Sequence, residues 1–117
     1  MAVDGSKIYS AIAACKSAKA ASRDLDAQIA MSVFPGLEVL PLIAAGVWRQ
    51  DDGKHVRALR YSSSRSAAMT LVSPGCWLEA IGDDVHILGE TGEWIGTHAL
   101  GAIAICIAAL TARLSEA

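Results

Sequence analysis

Apolar residues in the first third of the chain recur every three or four positions, which is the spacing of one face of a helix. Ile8 and Ile12 belong to one such stripe, and a second stripe follows in "RDLDAQIAMSV". Ser22 separates the two, and its hydroxyl is suited to cap a helix that begins after it. The pattern predicts helical structure over residues 6–33, broken near Ser22 and ended by Pro35-Gly36.

The middle of the chain carries short apolar runs separated by turn residues. Asp52-Gly53 lies between two such runs and predicts a hairpin at about 46–50 and 54–60. The serine-rich segment "SSSRSAAMTLV" predicts a short helix from about Ser64 to Val72. "CWLEAIG", "VHILG" and "EWIGT" predict three further strands, the first two joined by a turn at Gly82-Asp83-Asp84.

Residues 99–110, "ALGAIAICIAAL", form an uncharged run near the C-terminus. Twelve residues are too few for a membrane span, which needs about 20. The run predicts a buried helix that Thr97 caps and that ends near Leu114. Because its apolar residues surround the helix axis, it must lie either at the centre of the fold or in a homodimer interface.

The order helix, hairpin, helix, strands, helix predicts a single α+β domain over residues 1–117, with an antiparallel sheet of four or five short strands packed with helices. The composition agrees with a folded domain, since 53 % of the residues are hydrophobic and 19 % are charged. The N-terminal segment lacks the apolar core of a signal peptide, so we expect a cytoplasmic protein.

Cys76, His86 and the Asp83-Asp84 pair are the residues most suggestive of chemistry. A small hydrolase or transferase would need the Cys76 thiol within hydrogen-bond reach of the His86 imidazole. The simpler interpretation is a sheet in which Cys76, Leu78 and Ala80 face the core and the two aspartates form the turn. We favour a non-enzymatic protein, and no glycine-rich phosphate loop or metal-ligand spacing indicates a cofactor.

Charged residues are segregated along the chain, although the net charge is only −2. Residues 49–65 are mainly basic and residues 76–96 are acidic without any Lys or Arg. The two groups could neutralise each other across one sheet, or they could form a polarised surface that binds a protein partner. The acidic net charge argues against nucleic-acid binding through residues 49–65.

Each of the three tryptophans lies on a predicted strand, where it is either core or an exposed binding anchor. The candidate partner-binding residues are Arg57, Arg60, Arg65, Asp83, Asp84, Glu90, Glu93 and Trp94.

Three blocks together carry a family resemblance: "SRDLDAQIA", "YSSSRSAAMTLVSPGCWLEAIG" and "THALGAIAICIAALTARL". They cover about half of the chain and resemble the phage ABA-sandwich domain, a group of small proteins of tailed phages and prophages. The turn at residues 73–77 departs from the family pattern, in which tryptophan directly follows glycine, and residues 33–60 have no counterpart there.

The resemblance implies a phage or prophage origin and supplies no catalytic residues. We therefore expect an accessory protein that binds a host or phage protein, with inhibition of a host defence complex, as anti-CRISPR proteins achieve it, as one form of this function. A structural phage protein is the alternative.

Overall fold

The computed structural model describes residues 5–116, with side chains through Ser115. The described part contains four α-helices, a short 3-10 helix and six strands, which confirms the α+β class. The helices are α1 (Gly5–Ser17), α2 (Arg23–Val33), α3 (Arg65–Met69) and α4 (Gly101–Glu116), and the 3-10 helix is Pro35–Val39. The strands are β1 (Leu42–Ala44), β2 (Val47–Arg49), β3 (His55–Arg57), β4 (Trp77–Ile81), β5 (Asp84–Gly89) and β6 (Gly92–Thr97).

The predicted break in the N-terminal helical region is confirmed. The hydroxyl of Ser22 accepts a hydrogen bond from the backbone N–H of Leu25 at 3.0 Å and thereby caps α2. At the other end Pro35 stops α2 and starts the 3-10 helix, because proline cannot donate a backbone hydrogen bond.

The strands form two antiparallel sheets of three strands each, where the sequence predicted one sheet of four or five. The first sheet has the order β1-β2-β3 and contains the predicted hairpin, with Gly53 at a φ of 85° in its turn. The second sheet has the order β4-β5-β6. The predicted runs are therefore strands. Each strand pairs only with strands adjacent to it in the sequence, so the six strands form two separate sheets.

Helix α4 lies at the centre of the domain, and every residue from Ala102 to Leu110 is buried within the single chain. β5 and β6 pack against the helix, and so do α1 and α3. Its all-round apolar surface is thus covered within the chain, so of the two placements that the sequence left open, the centre of the fold and a homodimer interface, the structure shows the first. Among the described residues, no helix is long and apolar enough to cross a membrane.

The start of α4 differs from the prediction that Thr97 caps it. The Thr97 hydroxyl donates to Oδ1 of Asp84 at 2.7 Å, and the helix begins at Gly101. Nδ1 of His98 instead accepts from the N–H of Leu100 at 2.9 Å, while its Nε2 donates to the Ala18 carbonyl oxygen at 2.8 Å. His98 therefore joins the loop after α1 to the start of α4 through both of its ring nitrogens.

A network around Asp26 connects α2 to the chain that follows the first sheet. Asp26 is 1 % exposed, and its Oδ1 accepts from both the N–H and the hydroxyl of Ser62 at 2.7 Å. Its Oδ2 accepts from Arg23, which also donates to the Ala58 carbonyl oxygen at 2.9 Å. These bonds fix the position of the first sheet against α2, since they satisfy groups on both sides of the junction.

Candidate functional site

The second sheet presents two faces of different character. Successive residues of a strand point to opposite faces, and the register aligns Leu78, Ile87 and Trp94 on the face that packs toward α4. The opposite face, which we call the outer face, is made of three cross-strand rows. They are Trp77–Leu88–Glu93, Glu79–His86–Ile95 and Ile81–Asp84–Thr97.

The outer face exposes large apolar side chains. Trp77 is 54 % exposed, Ile81 57 % and Ile95 49 %. They belong to three different rows, so they are distributed over the whole face rather than confined to one edge. Large apolar patches on the surface of a folded protein often mark interaction sites, so this face is the candidate that we consider.

Carboxylates are interspersed among these apolar side chains. Glu79 and Glu93 are exposed on the outer face, Asp84 is half-buried at its end, and Asp83 and Glu90 lie in the two turns of the sheet. No Lys or Arg occurs in residues 77–97, and none pairs with these carboxylates within the described part of the chain. The outer face is therefore both apolar and negatively charged.

His86 is held in the middle of this face. Its Nδ1 lies 3.1 Å from Oε2 of Glu93, a diagonal neighbour on β6. The Asp84–Thr97 hydrogen bond fixes a second side chain in the same way. Part of the polar surface is thus ordered before any partner arrives, which lowers the entropic cost of binding.

The geometry separates the two residues of the proposed catalytic pair. His86 lies on the outer face, opposite Glu79, whereas Cys76 packs against the core on the inner side, next to Gly89. A sheet therefore lies between the thiol and the imidazole, and the Cys76–His86 pair is wrong. Leu78 joins Cys76 on the inner side as expected, but Ala80 is exposed.

The other two cysteines are buried in the core. Burial raises the pKa of the Cys15 thiol from 9.0 to about 12, and nearby Asp26 adds to the effect. Burial likewise raises the pKa of Cys106. Both thiols are therefore protonated at neutral pH and are poor nucleophiles. No group of three or more His, Cys, Asp or Glu side chains in the described residues could hold a metal ion.

The basic candidates lie away from the second sheet. Arg57 is on β3, Arg60 follows it and Arg65 begins α3, and each lines a different surface depression. The idea that the basic and acidic segments neutralise each other across one sheet is thus wrong, because β3 and the acidic strands belong to different sheets. The acidic candidates, in contrast, are brought together on one sheet.

Two details of the acidic segment were not predicted. Asp84 pairs with Ile81 as the first residue of β5, so the tight turn consists of Gly82 and Asp83 alone. Trp94 is half-buried on the inner face, whereas Trp77 is the exposed tryptophan and Trp48 is core. Counting alternate residues back from the turn would have placed Trp77 on the same face as Glu79 and Ile81. It would not have shown which face of the sheet packs against α4.

Comparison of the chain with models of protein families, with curated proteins and with solved structures finds no match.

Proposed function

We propose that this protein is a non-enzymatic accessory protein that binds another protein through the outer face of its second sheet. The observation that carries the proposal is the placement of Trp77, Ile81 and Ile95 on one uncovered face, among carboxylates that have no Lys or Arg partner in the described residues. The side chains of the outer face are not part of the hydrophobic core, because the opposite face of the same sheet packs on α4.

The chemistry of the face defines its partner. Apolar side chains distributed over the face, with carboxylates between and around them, favour a protein surface that presents Lys or Arg among apolar side chains. A polyanion such as nucleic acid would be repelled by the same carboxylates. Trp77 is the expected anchor, since tryptophan is enriched among the residues that dominate binding energy.

The biological setting of the proposal comes from the resemblance to phage ABA-sandwich proteins. On that basis the protein is encoded by a phage or prophage and acts in the cytoplasm of a bacterial host. Its partner is then a host or phage protein, and a host defence complex is the partner class that a small, acidic binding protein would suit as an inhibitor.

Affinity capture from lysate of a bacterial host, at low and high salt, is the first experiment. We expect one stoichiometric partner whose recovery falls at high salt, because charge attraction contributes to the complex. The dissociation constant for the purified partner is then measured for Trp77→Ala and for Glu79→Lys, with the fold of each variant checked by circular dichroism.

Removal of a hot-spot side chain costs about 2 kcal/mol or more, so Trp77→Ala should weaken binding roughly 30-fold or more. Tyr9→Ala is the matched control, because Tyr9 is an aromatic residue of α1 that is 65 % exposed and does not belong to the second sheet. Affinity that is the same for wild type, Trp77→Ala and Glu79→Lys would refute the assignment of the face, and an Arg57/Arg60 double variant would then test the basic residues instead.

A further inference from the structure

A separate apolar cleft lies between the C-terminal end of α2, the 3-10 helix and β3. Its volume is about 600 Å³, which is within the range of small-molecule sites. Its walls are mainly aliphatic and aromatic, and Phe34, which is 56 % exposed, stands at its edge. Because none of its lining residues lies on the second sheet, this cleft is distinct from the proposed protein-binding face.

Three polar side chains line the cleft, and each is without a hydrogen-bonding or ionic partner in the described residues. They belong to Arg57, Gln50 and Tyr61. No Asp or Glu is among the lining residues, so no carboxylate of the cleft neutralises Arg57. An apolar cavity with a few convergent polar groups is the usual form of a ligand site.

Tyr61 differs from the other two because it belongs to the core. Only 3 % of the residue is exposed, so Tyr61 contributes a buried part of the cleft wall. Burial raises the pKa of Tyr61, an effect that the positive charge of Arg113 partly offsets. The hydroxyl is therefore a hydrogen-bond donor at neutral pH.

The charge of the cleft selects among possible ligands. A single unpaired guanidinium beside aliphatic walls complements a molecule with one anionic group and an apolar chain. The amide donor of Gln50 adds to the preference for a carboxylate, which only accepts hydrogen bonds. We propose that this cleft binds a small amphipathic carboxylate of the fatty-acid class, with the chain against the walls and the carboxylate toward Arg57.

The test uses dodecanoate below its micellar concentration, with calorimetric titration of the full chain. Dodecanol, the uncharged molecule of the same chain length, serves as the ligand control. We expect saturable binding of one dodecanoate and at least 10-fold weaker binding of dodecanol. Arg57→Gln should weaken dodecanoate binding about 10-fold, because the charge-assisted hydrogen bond is lost.

Arg60→Gln is the matched protein control, because Arg60 is also exposed but lines a different depression. Phe34→Asp is a second variant that places a negative charge at the edge of the cleft without disturbing a buried side chain, and it should also weaken dodecanoate binding.

Three results would overturn the proposal: absence of saturable binding, equal affinity for dodecanoate and dodecanol, or equal losses in the Arg57→Gln and Arg60→Gln variants. Vesicles of phosphatidylglycerol form a further arm. Binding to the vesicles with no binding of free dodecanoate would assign the cleft to a membrane surface and would also refute a site for a free amphiphile.

Discussion

Gly96 is the point at which the second sheet approaches the central helix most closely, and it offers a test of the packing with a single methyl group. A Cβ added at this position would lie 2.1 Å from the carbonyl oxygen of Ala104 and 2.7 Å from the backbone nitrogen of Ala108. Both atoms belong to the backbone of α4, so no side-chain rotation can make room. In Gly96→Ala, β6 and α4 must therefore move apart.

The size of the effect follows from the distances. Restoring a tolerable contact of 3.0 Å requires a separation of about 1 Å, and a gap of 0.5–1 Å forfeits roughly a quarter to a half of the dispersion energy of the atoms that line it. Overpacking a core usually costs about 1–3 kcal/mol. Because the displaced element is the central helix, we expect a loss of about 3 kcal/mol in the free energy of unfolding, a large part of the stability of a domain of this size.

Urea unfolding followed by tryptophan fluorescence measures this loss, since the buried Trp48 reports on the core. Gly36→Ala is the matched control: a Cβ there meets no atom within 4 Å, so the variant should stay within about 0.5 kcal/mol of wild type. A loss below about 1 kcal/mol for Gly96→Ala would show that β6 and α4 are not in this close contact.

Two further predictions concern buried titratable groups. Asp26→Ala leaves Arg23 and the two Ser62 donors without this acceptor and should cost about 3–5 kcal/mol in urea unfolding. Asp26→Asn keeps an oxygen for Ser62 and should cost less, so equal losses would contradict the contribution of the hydrogen bonds to Ser62. The raised pKa values of Cys15 and Cys106 mean that the unfolded chain loses these thiol protons from about pH 9 whereas the folded chain keeps them. Stability should thus be fully present below pH 9 and fall as the pH rises above it, by up to about 1.4 kcal/mol per pH unit for each thiol. Denaturant titrations between pH 8 and 10.5 measure this slope, and an unchanged slope in the Cys15→Ala/Cys106→Ala double variant would refute its assignment to the thiols.

Local structure was largely determined by the sequence. The Ser22 cap, the Pro35-Gly36 stop and the Asp52-Gly53 turn each act within a few residues, because capping and turn geometry depend on the residue itself and its immediate neighbours. The same holds for the alternation that unites Trp77, Glu79 and Ile81 on one face of β4. Apolar content alone indicated that the C-terminal run would be a buried helix.

Only the tertiary structure decided how these elements meet. No local pattern in β3 or β5 indicates that these strands belong to different sheets. No pattern in α4 indicates whether the same chain or a second copy covers the helix. These outcomes depend on contacts between residues far apart in the chain, whose loop-closure cost and packing no short pattern encodes. The outer face illustrates this: the alternation in the sequence places its residues on one side of the second sheet, and the packing of α4 on the opposite side leaves them exposed.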